Sequence, residues 1–187
     1  MKVIFLDNDG VICLSNNWGS RHKKAAKYFK LNPEVEFTER PVEVRFDNFD
    51  KKAILVLNKI LEETEAEIVV SSDWKKHATL EDLGNYYISQ GIIKKPIATT
   101  PDLDVFDWLT YELFSGKGWS ERKRILEIKE YLRLNPNVDK WVAVDDLDMS
   151  NEYNGGYGLD NFVLVSRSSE GIKQMGIKEK IINFLNR

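Results

Sequence analysis

The chain has 187 residues, the size of one ordinary domain with room for a small insertion, and 42% of them are hydrophobic, enough to bury a core. Its 27 Lys plus Arg against 30 Asp plus Glu leave a formal net charge of -3, which marks neither a disordered acidic tail nor a wholly basic nucleic-acid binder. A single cysteine, Cys13, excludes an internal disulfide, and no apolar run reaches the ~18 residues of a membrane helix. The apolar stretch at the start is too short for a signal peptide, so a reducing, cytoplasmic location is expected, with no membrane contact and no obligate protein partner.

Residues 3–6 are apolar and stop at Asp7, which reads as a buried strand, and Asp9-Gly10 then signals a turn. Residues 20–31 suit a short helix with Ala25, Ala26 and Phe29 inward and lysines outward. Residues 32–50, with Pro33 and Pro41, suit loops and short pieces. Asp50 caps a helix expected over 51–63, carried by Ile54, Leu55, Leu57 and Leu61. Residues 67–70 form a strand ending at Ser71-Ser72. A helix over 76–90 stops at Gly91, and a short strand at 97–100 ends before Pro101. Residues 102–119 are aromatic-rich and irregular. Ser120 caps a helix over 121–134 with Ile125, Ile128 and Leu132 inward. A strand at 141–144 runs into Asp145-Asp146, a Gly- and Asn-rich loop covers 150–160, and a strand at 162–165 and a helix at 177–186 close the chain. Alternating strands and helices make the class α/β with a mainly parallel sheet. Cys13 reads as a small core residue, and His22 and His77, set among lysines, as surface residues.

Ligands of an open parallel sheet bind beyond the carboxyl ends of its strands. Here three strands end in polar groups: Asp7-Asn8-Asp9, Ser71-Ser72-Asp73 and Asp145-Asp146. Carboxylates crowded at one edge repel one another unless a cation offsets them, and an all-oxygen ligand set favours a hard ion such as Mg²⁺. Asp-x-Asp alone carries little, since it recurs at Asp102–Asp104 and Asp146–Asp148. The placement of Asp7 and Asp9 between an apolar strand and Gly10-Val11 is what singles them out. Ser71 is equally a turn or capping residue on its own.

Together these segments resemble the haloacid dehalogenase (HAD) superfamily. Its first motif is matched by Asp7-Asn8-Asp9-Gly10-Val11, its second by Ile68-Val69-Val70-Ser71, and its acidic pair by Val144-Asp145-Asp146. The run Val69-Val70-Ser71-Ser72-Asp73-Trp74 is similar to the branch of HAD domains in "Swiss Army knife" RNA repair proteins, as are Arg124-Ile125-Leu126-Glu127-Ile128 and Trp141-Val142-Ala143-Val144-Asp145-Asp146. The resemblance implies a three-layer Rossmann-like HAD fold and one HAD-like domain over 1–187. Residues 13–49 would be a small cap insertion and 102–119 a second short one. It implies an Mg²⁺-dependent phosphohydrolase in which Asp7 is the nucleophile and Asp9 the proton donor. The metal would be held by Asp7, Asp9 (through its carbonyl), Asp145 and Asp146. The phosphate would be held by Ser71, with Ser72 as the alternative, and by a basic residue. Arg122, Lys123, Arg124 and Lys117 compete for that last role; the branch pattern favours Arg124, then Lys123.

A short cap leaves the site open, which suits a large substrate such as a polynucleotide end. Arg21, His22, Lys23, Lys24, Lys27 and Lys30 would track phosphates, and Trp18, Tyr28, Trp74 and Trp108 would stack on bases, although a wet helix face and core packing explain the same residues. A nucleotide or small-metabolite phosphatase uses the same chemistry. A non-enzymatic phospho-accepting signalling domain is the third reading. It is disfavoured because its acidic pair follows the first strand, whereas here the adjacent pair comes late.

Overall fold

The structure, a computed structural model, describes residues 1–103 and 118–187. Five parallel strands form one sheet in the order β3-β2-β1-β4-β5, where β1 is Lys2–Leu6, β2 Glu67–Val70, β3 Ala98–Thr99, β4 Lys140–Asp145 and β5 Phe162–Leu164. The central strand β1 reads as an unbroken apolar run because both of its faces are covered. Ile4 and Leu6 enter one core with Ile68, Val70, Val142 and Val144, whereas Val3 and Phe5 enter the other with Val69 and Ala143.

The first core is closed by helices α3 (Lys51–Thr64), α4 (Leu80–Gln90) and α6 (Ile177–Asn186), through residues such as Leu57, Leu83 and Ile181. The second is closed by α5 (Trp119–Leu134), through Ile125, Ile128 and Tyr131. Helices on both faces of a parallel sheet give the three-layer Rossmann-like arrangement. Among the described residues, no helix is long and apolar enough to cross a membrane.

Helix ends follow local chemistry. Asp50 accepts from the Ala53 N–H at 2.8 Å and caps α3, as expected. Helix α4 begins later than the spacing suggests, because residues Asp73–Lys76 wind into a 3-10 turn and Thr79 and Asp82 form a reciprocal capping box. Helix α5 starts after Gly118 with no side-chain cap, so Ser120 lies inside its first turn and is not the cap. Leu55, expected inward on α3, is exposed, and the inner face is instead Ala53, Ile54, Leu57, Ile60 and Leu61.

The 13–49 segment carries α1 (His22–Leu31) and α2 (Val42–Arg45). Helix α1 buries none of its residues, and Phe29, expected inward, is half exposed beneath the Arg40 guanidinium. The segment is attached to the body at its far end instead. Phe46 and Phe49 lie in the first core, and Arg45 donates to Asp82 at 3.0 Å and to the His77 carbonyl, while Asp47 ties the two ends of the segment together by accepting from the Gly19 and Arg21 N–H groups at 3.0 and 2.9 Å. The second insertion, 102–119, lies largely outside the described residues, as do Asp104, Trp108 and Lys117.

Candidate active site

Strand pairing assembles the site. Leu6 is in register with Val70 on one side and Val144 on the other, so the residues that follow, Asp7, Ser71 and Asp145, emerge side by side. The pairing extends one step past the strands: Asp7 N–H donates to the Val144 carbonyl at 3.1 Å and Ser71 N–H to the Leu6 carbonyl at 2.9 Å.

Beyond Asp7 the backbone turns tightly around Asn8. The Asn8 carbonyl accepts from the N–H groups of Ile12 and Cys13 at 3.0 and 2.8 Å, and its side-chain oxygen accepts from the Tyr87 hydroxyl at 2.5 Å. Gly10 completes the turn at φ +72°, and a Cβ there would lie 2.1 Å from Asp146 Oδ2. Only glycine lets the second residue of the acidic pair approach the first motif this closely.

Carboxylate oxygens of Asp7, Asp145 and Asp146 lie within 4.8 Å of one another. Arg124, reaching over from α5, places Nη1 2.7 Å from Asp145 Oδ2 and 3.1 Å from Asp7 Oδ1, with Nη2 3.8 Å from the exposed Asp73. Burial pushes the Asp7 carboxyl well above the usual carboxylate range, and Asp145, Asp146 and Asp9 add to this against the opposing pull of Arg124. Asp145 is raised by burial against the same guanidinium, and burial with the neighbouring Asp145 lifts Asp146 to about 6. With all three ionised, the carboxylates against one guanidinium leave two negative charges unbalanced, the charge of one divalent ion. An all-oxygen set of this kind fits Mg²⁺.

Asp9 stands at the mouth of the site, open to solvent on one side, with its Oδ2 accepting from the Trp74 indole N–H at 2.7 Å. The protein packed around its carboxyl raises its pKa, partly offset by the Trp74 hydrogen bond and the nearby Cys13 thiol. Its side chain is therefore separate from the three-carboxylate cluster, which limits any part it has in holding a metal to its backbone. The Ser71 and Ser72 hydroxyls are buried at the end of β2 without a hydrogen-bond partner among the described residues, and the register of β1 and β2 sets Ser71 next to Asp7. An orphaned buried hydroxyl costs roughly 1–3 kcal/mol unless a ligand engages it, and phosphate oxygens would do so.

The other basic candidates go elsewhere. Lys123 lies 2.7 Å from Asp102 and 3.7 Å from Glu127, and Arg122 packs over the Tyr157 ring at 4.8 Å. Trp74, expected as a base-stacking residue, is buried against Phe46, so only Trp18 and the half-buried Tyr28 of that described set reach solvent.

Two neighbours escaped the sequence reading. Lys75 is buried and bonds Glu127 at 2.5 Å, Thr100 Oγ1 at 2.8 Å and the Pro101 carbonyl at 3.1 Å. Glu127 lies one turn after Arg124, so this pair clamps α5 to the ends of β2 and β3 at the height of Arg124. The Arg124–Glu127 spacing was the available signal, but its partner stands more than fifty residues earlier in the chain.

Searches of curated proteins and of solved structures give no match. A family model described as the HAD domain in Swiss Army Knife RNA repair proteins matches residues 3–175. With nearly the whole chain matched and the acidic cluster at the strand ends, the chain belongs to that family of HAD domains.

Proposed function

We propose that the protein is an Mg²⁺-dependent phosphomonoester hydrolase that works through an aspartyl-phosphate on Asp7. The observation that carries this reading is the carboxylate trio of Asp7, Asp145 and the half-buried Asp146, with Arg124 paired to Asp7 and Asp145 and the partnerless Ser71 hydroxyl beside them. Asp7, Asp145 and Asp146, with the Asp9 carbonyl, would hold the ion. When bound, it offsets the carboxylate charge and polarises the phosphoryl group.

In the first step an Asp7 carboxylate oxygen forms a bond to phosphorus as the bond to the leaving oxygen breaks. Asp9, protonated, gives its proton to that leaving oxygen. Ser71 and Arg124 donate to the phosphoryl oxygens and keep the group aligned. In the second step Asp9, now a carboxylate, takes a proton from water as the water attacks phosphorus. Inorganic phosphate leaves and Asp7 is restored. The raised pKa of Asp9 suits it to the first role.

For the substrate we propose a polynucleotide end phosphate. The family description places related domains in RNA repair proteins. A groove that includes Arg124 is lined by Lys76, Trp119 and Lys123 together with the acidic Asp73 and Glu127, and Lys23, Lys24, Lys27 and Lys30 stand exposed on α1. The lone buried thiol of Cys13 fits a reducing, cytoplasmic setting.

The test compares phosphate release from 3′- and 5′-phosphorylated oligonucleotides with release from mononucleotides and sugar phosphates, with Mg²⁺ or EDTA. Preference for the oligomers that weakens as salt rises supports the proposal. Equal or better turnover of the small esters makes the protein a metabolite phosphatase with the same chemistry. No turnover of any ester removes the phosphatase reading.

A further inference from the structure

Trp74 has no part in the chemistry described so far, yet its one polar atom is committed to the proton donor. The ring is 6% exposed and stacks on Phe46 at 4.1 Å and 10°, with Phe49 at 5.4 Å and 20°. Tyr86 lies tilted against it at 6.1 Å. Turning the indole would break these contacts, so Nε1 is held on Asp9 Oδ2 at 2.7 Å.

We propose that Trp74 is a positioning residue for Asp9: its indole N–H engages Oδ2 and reserves Oδ1 for the proton that passes to the leaving oxygen. The proposal rests on the phosphatase reading above. An indole N–H only donates. In a protonated carboxyl the carbonyl-type oxygen is the better acceptor, so the oxygen facing Trp74 is the one without the proton. The hydroxyl is then Oδ1, and the carboxyl plane is set before substrate arrives, which removes an orientational cost from the reaction.

The same bond also favours the transfer itself. As the Oδ1–H bond breaks and the leaving oxygen gains the proton, Asp9 becomes a carboxylate, and a hydrogen bond to a charged acceptor is stronger than one to a neutral acceptor. The contact is thus tighter during proton transfer than before it, the condition for lowering a barrier. A phenyl ring would serve the stack alone. Phe46 and Phe49 close the 13–49 segment, so that segment helps aim the acid from behind.

The test uses Trp74→Phe and, in parallel, 3-benzothienylalanine placed at position 74 alone, which keeps the bicyclic ring and replaces N–H by sulfur. The second variant carries the test if the first fails to fold. The kcat/KM is measured with Mg²⁺ on p-nitrophenyl phosphate, whose leaving group needs little protonation, and on a phosphorylated oligonucleotide and ribose phosphate, whose leaving groups need it. Both variants are expected to lose about 10- to 100-fold on the alkyl esters and under about 3-fold on the aryl ester, with no further loss in an Asp9→Asn background. Equal losses on both ester types, a loss that persists in the Asp9→Asn background, or full alkyl turnover by the benzothienyl variant overturns the proposal. A wild type inactive on every ester instead removes the phosphatase reading, and this proposal with it.

Discussion

The Arg124 guanidinium meets the Asp145 carboxylate at 2.7 Å where the aspartate is almost wholly out of water, and the same nitrogen lies 3.1 Å from Asp7. The three residues come from α5, β4 and the end of β1, so this contact ties one outer layer of the fold to the strand ends that carry the acidic cluster.

Removing Arg124 strands two buried carboxylates without their cation. Breaking a buried pair from one side costs about 3–5 kcal/mol. Arg124→Met is expected to lower the melting temperature of the metal-free protein by several degrees, to recover part of it with Mg²⁺, and to reduce phosphate release at least about 100-fold. Thermal melts with and without Mg²⁺ check the first two. An unchanged metal-free melting temperature would mean that the contact contributes nothing to stability.

Asp7→Asn is expected to abolish turnover of aryl and alkyl esters alike, because no carboxylate remains to form the phosphoenzyme. Asp9→Asn should spare aryl esters and slow alkyl ones by about 10²–10⁴-fold. Steady-state phosphate release from the two ester types decides both. Turnover retained in Asp7→Asn moves the nucleophile elsewhere.

Asp146 has a folded pKa of about 6 against an ordinary 3.8. A raised carboxyl pKa means that the folded state binds more protons than the unfolded one, so its contribution to stability is full below about pH 4, falls between pH 4 and 6, and stays low above pH 6. The group is partly exposed, so the nominal penalty is reduced by solvent screening to roughly 1 kcal/mol. Asp146→Asn is therefore expected to raise the metal-free melting temperature above pH 6 by about 2–4 °C, with little gain near pH 4. It should also weaken the stabilisation by Mg²⁺. A gain that is the same at pH 4 and pH 7 would show that charge is not its source.

Gly10→Ala sets a Cβ on Asp146 Oδ2 and strains a backbone at φ +72°. The expected result is a stability loss of about 1–2 kcal/mol and a fall in Mg²⁺ affinity, read by thermal shift against Mg²⁺ concentration. Unchanged metal affinity would mean that Asp146 moves aside without consequence for the ion.

The parts of the site nearest the sheet were legible because apolar runs buried on both faces stop abruptly at Asp7, Ser71 and Asp145, and parallel strands put such stops on one edge. Contacts between distant segments were not legible. Trp74 looked like a stacking platform for bases, since nothing local says that Phe46 and Phe49 will cover it. Helix α1 has the spacing of an inward face in Ala25, Ala26 and Phe29, but spacing does not reveal that the helix sits on an excursion with no sheet beneath it. The late start of α4 was written in Thr79 and Asp82, whose reciprocal caps outweigh the helix-forming character of Lys75 and Lys76. The resemblance favoured Arg124 as the basic residue of the site; its pairing with Asp145 and Asp7, and the lock that Lys75 and Glu127 put on its helix, were not legible.

The pairing of Leu6 with Val144 has a consequence for how the protein matures. Asp7 is made well before Asp145, which joins it only when β4 docks beside β1. A chain in which β4 has not docked therefore lacks the assembled three-carboxylate cluster, and a sheet shifted by one residue would present the wrong side chains. Ion capture by the three carboxylates would thus report that β4 has arrived in the correct alignment.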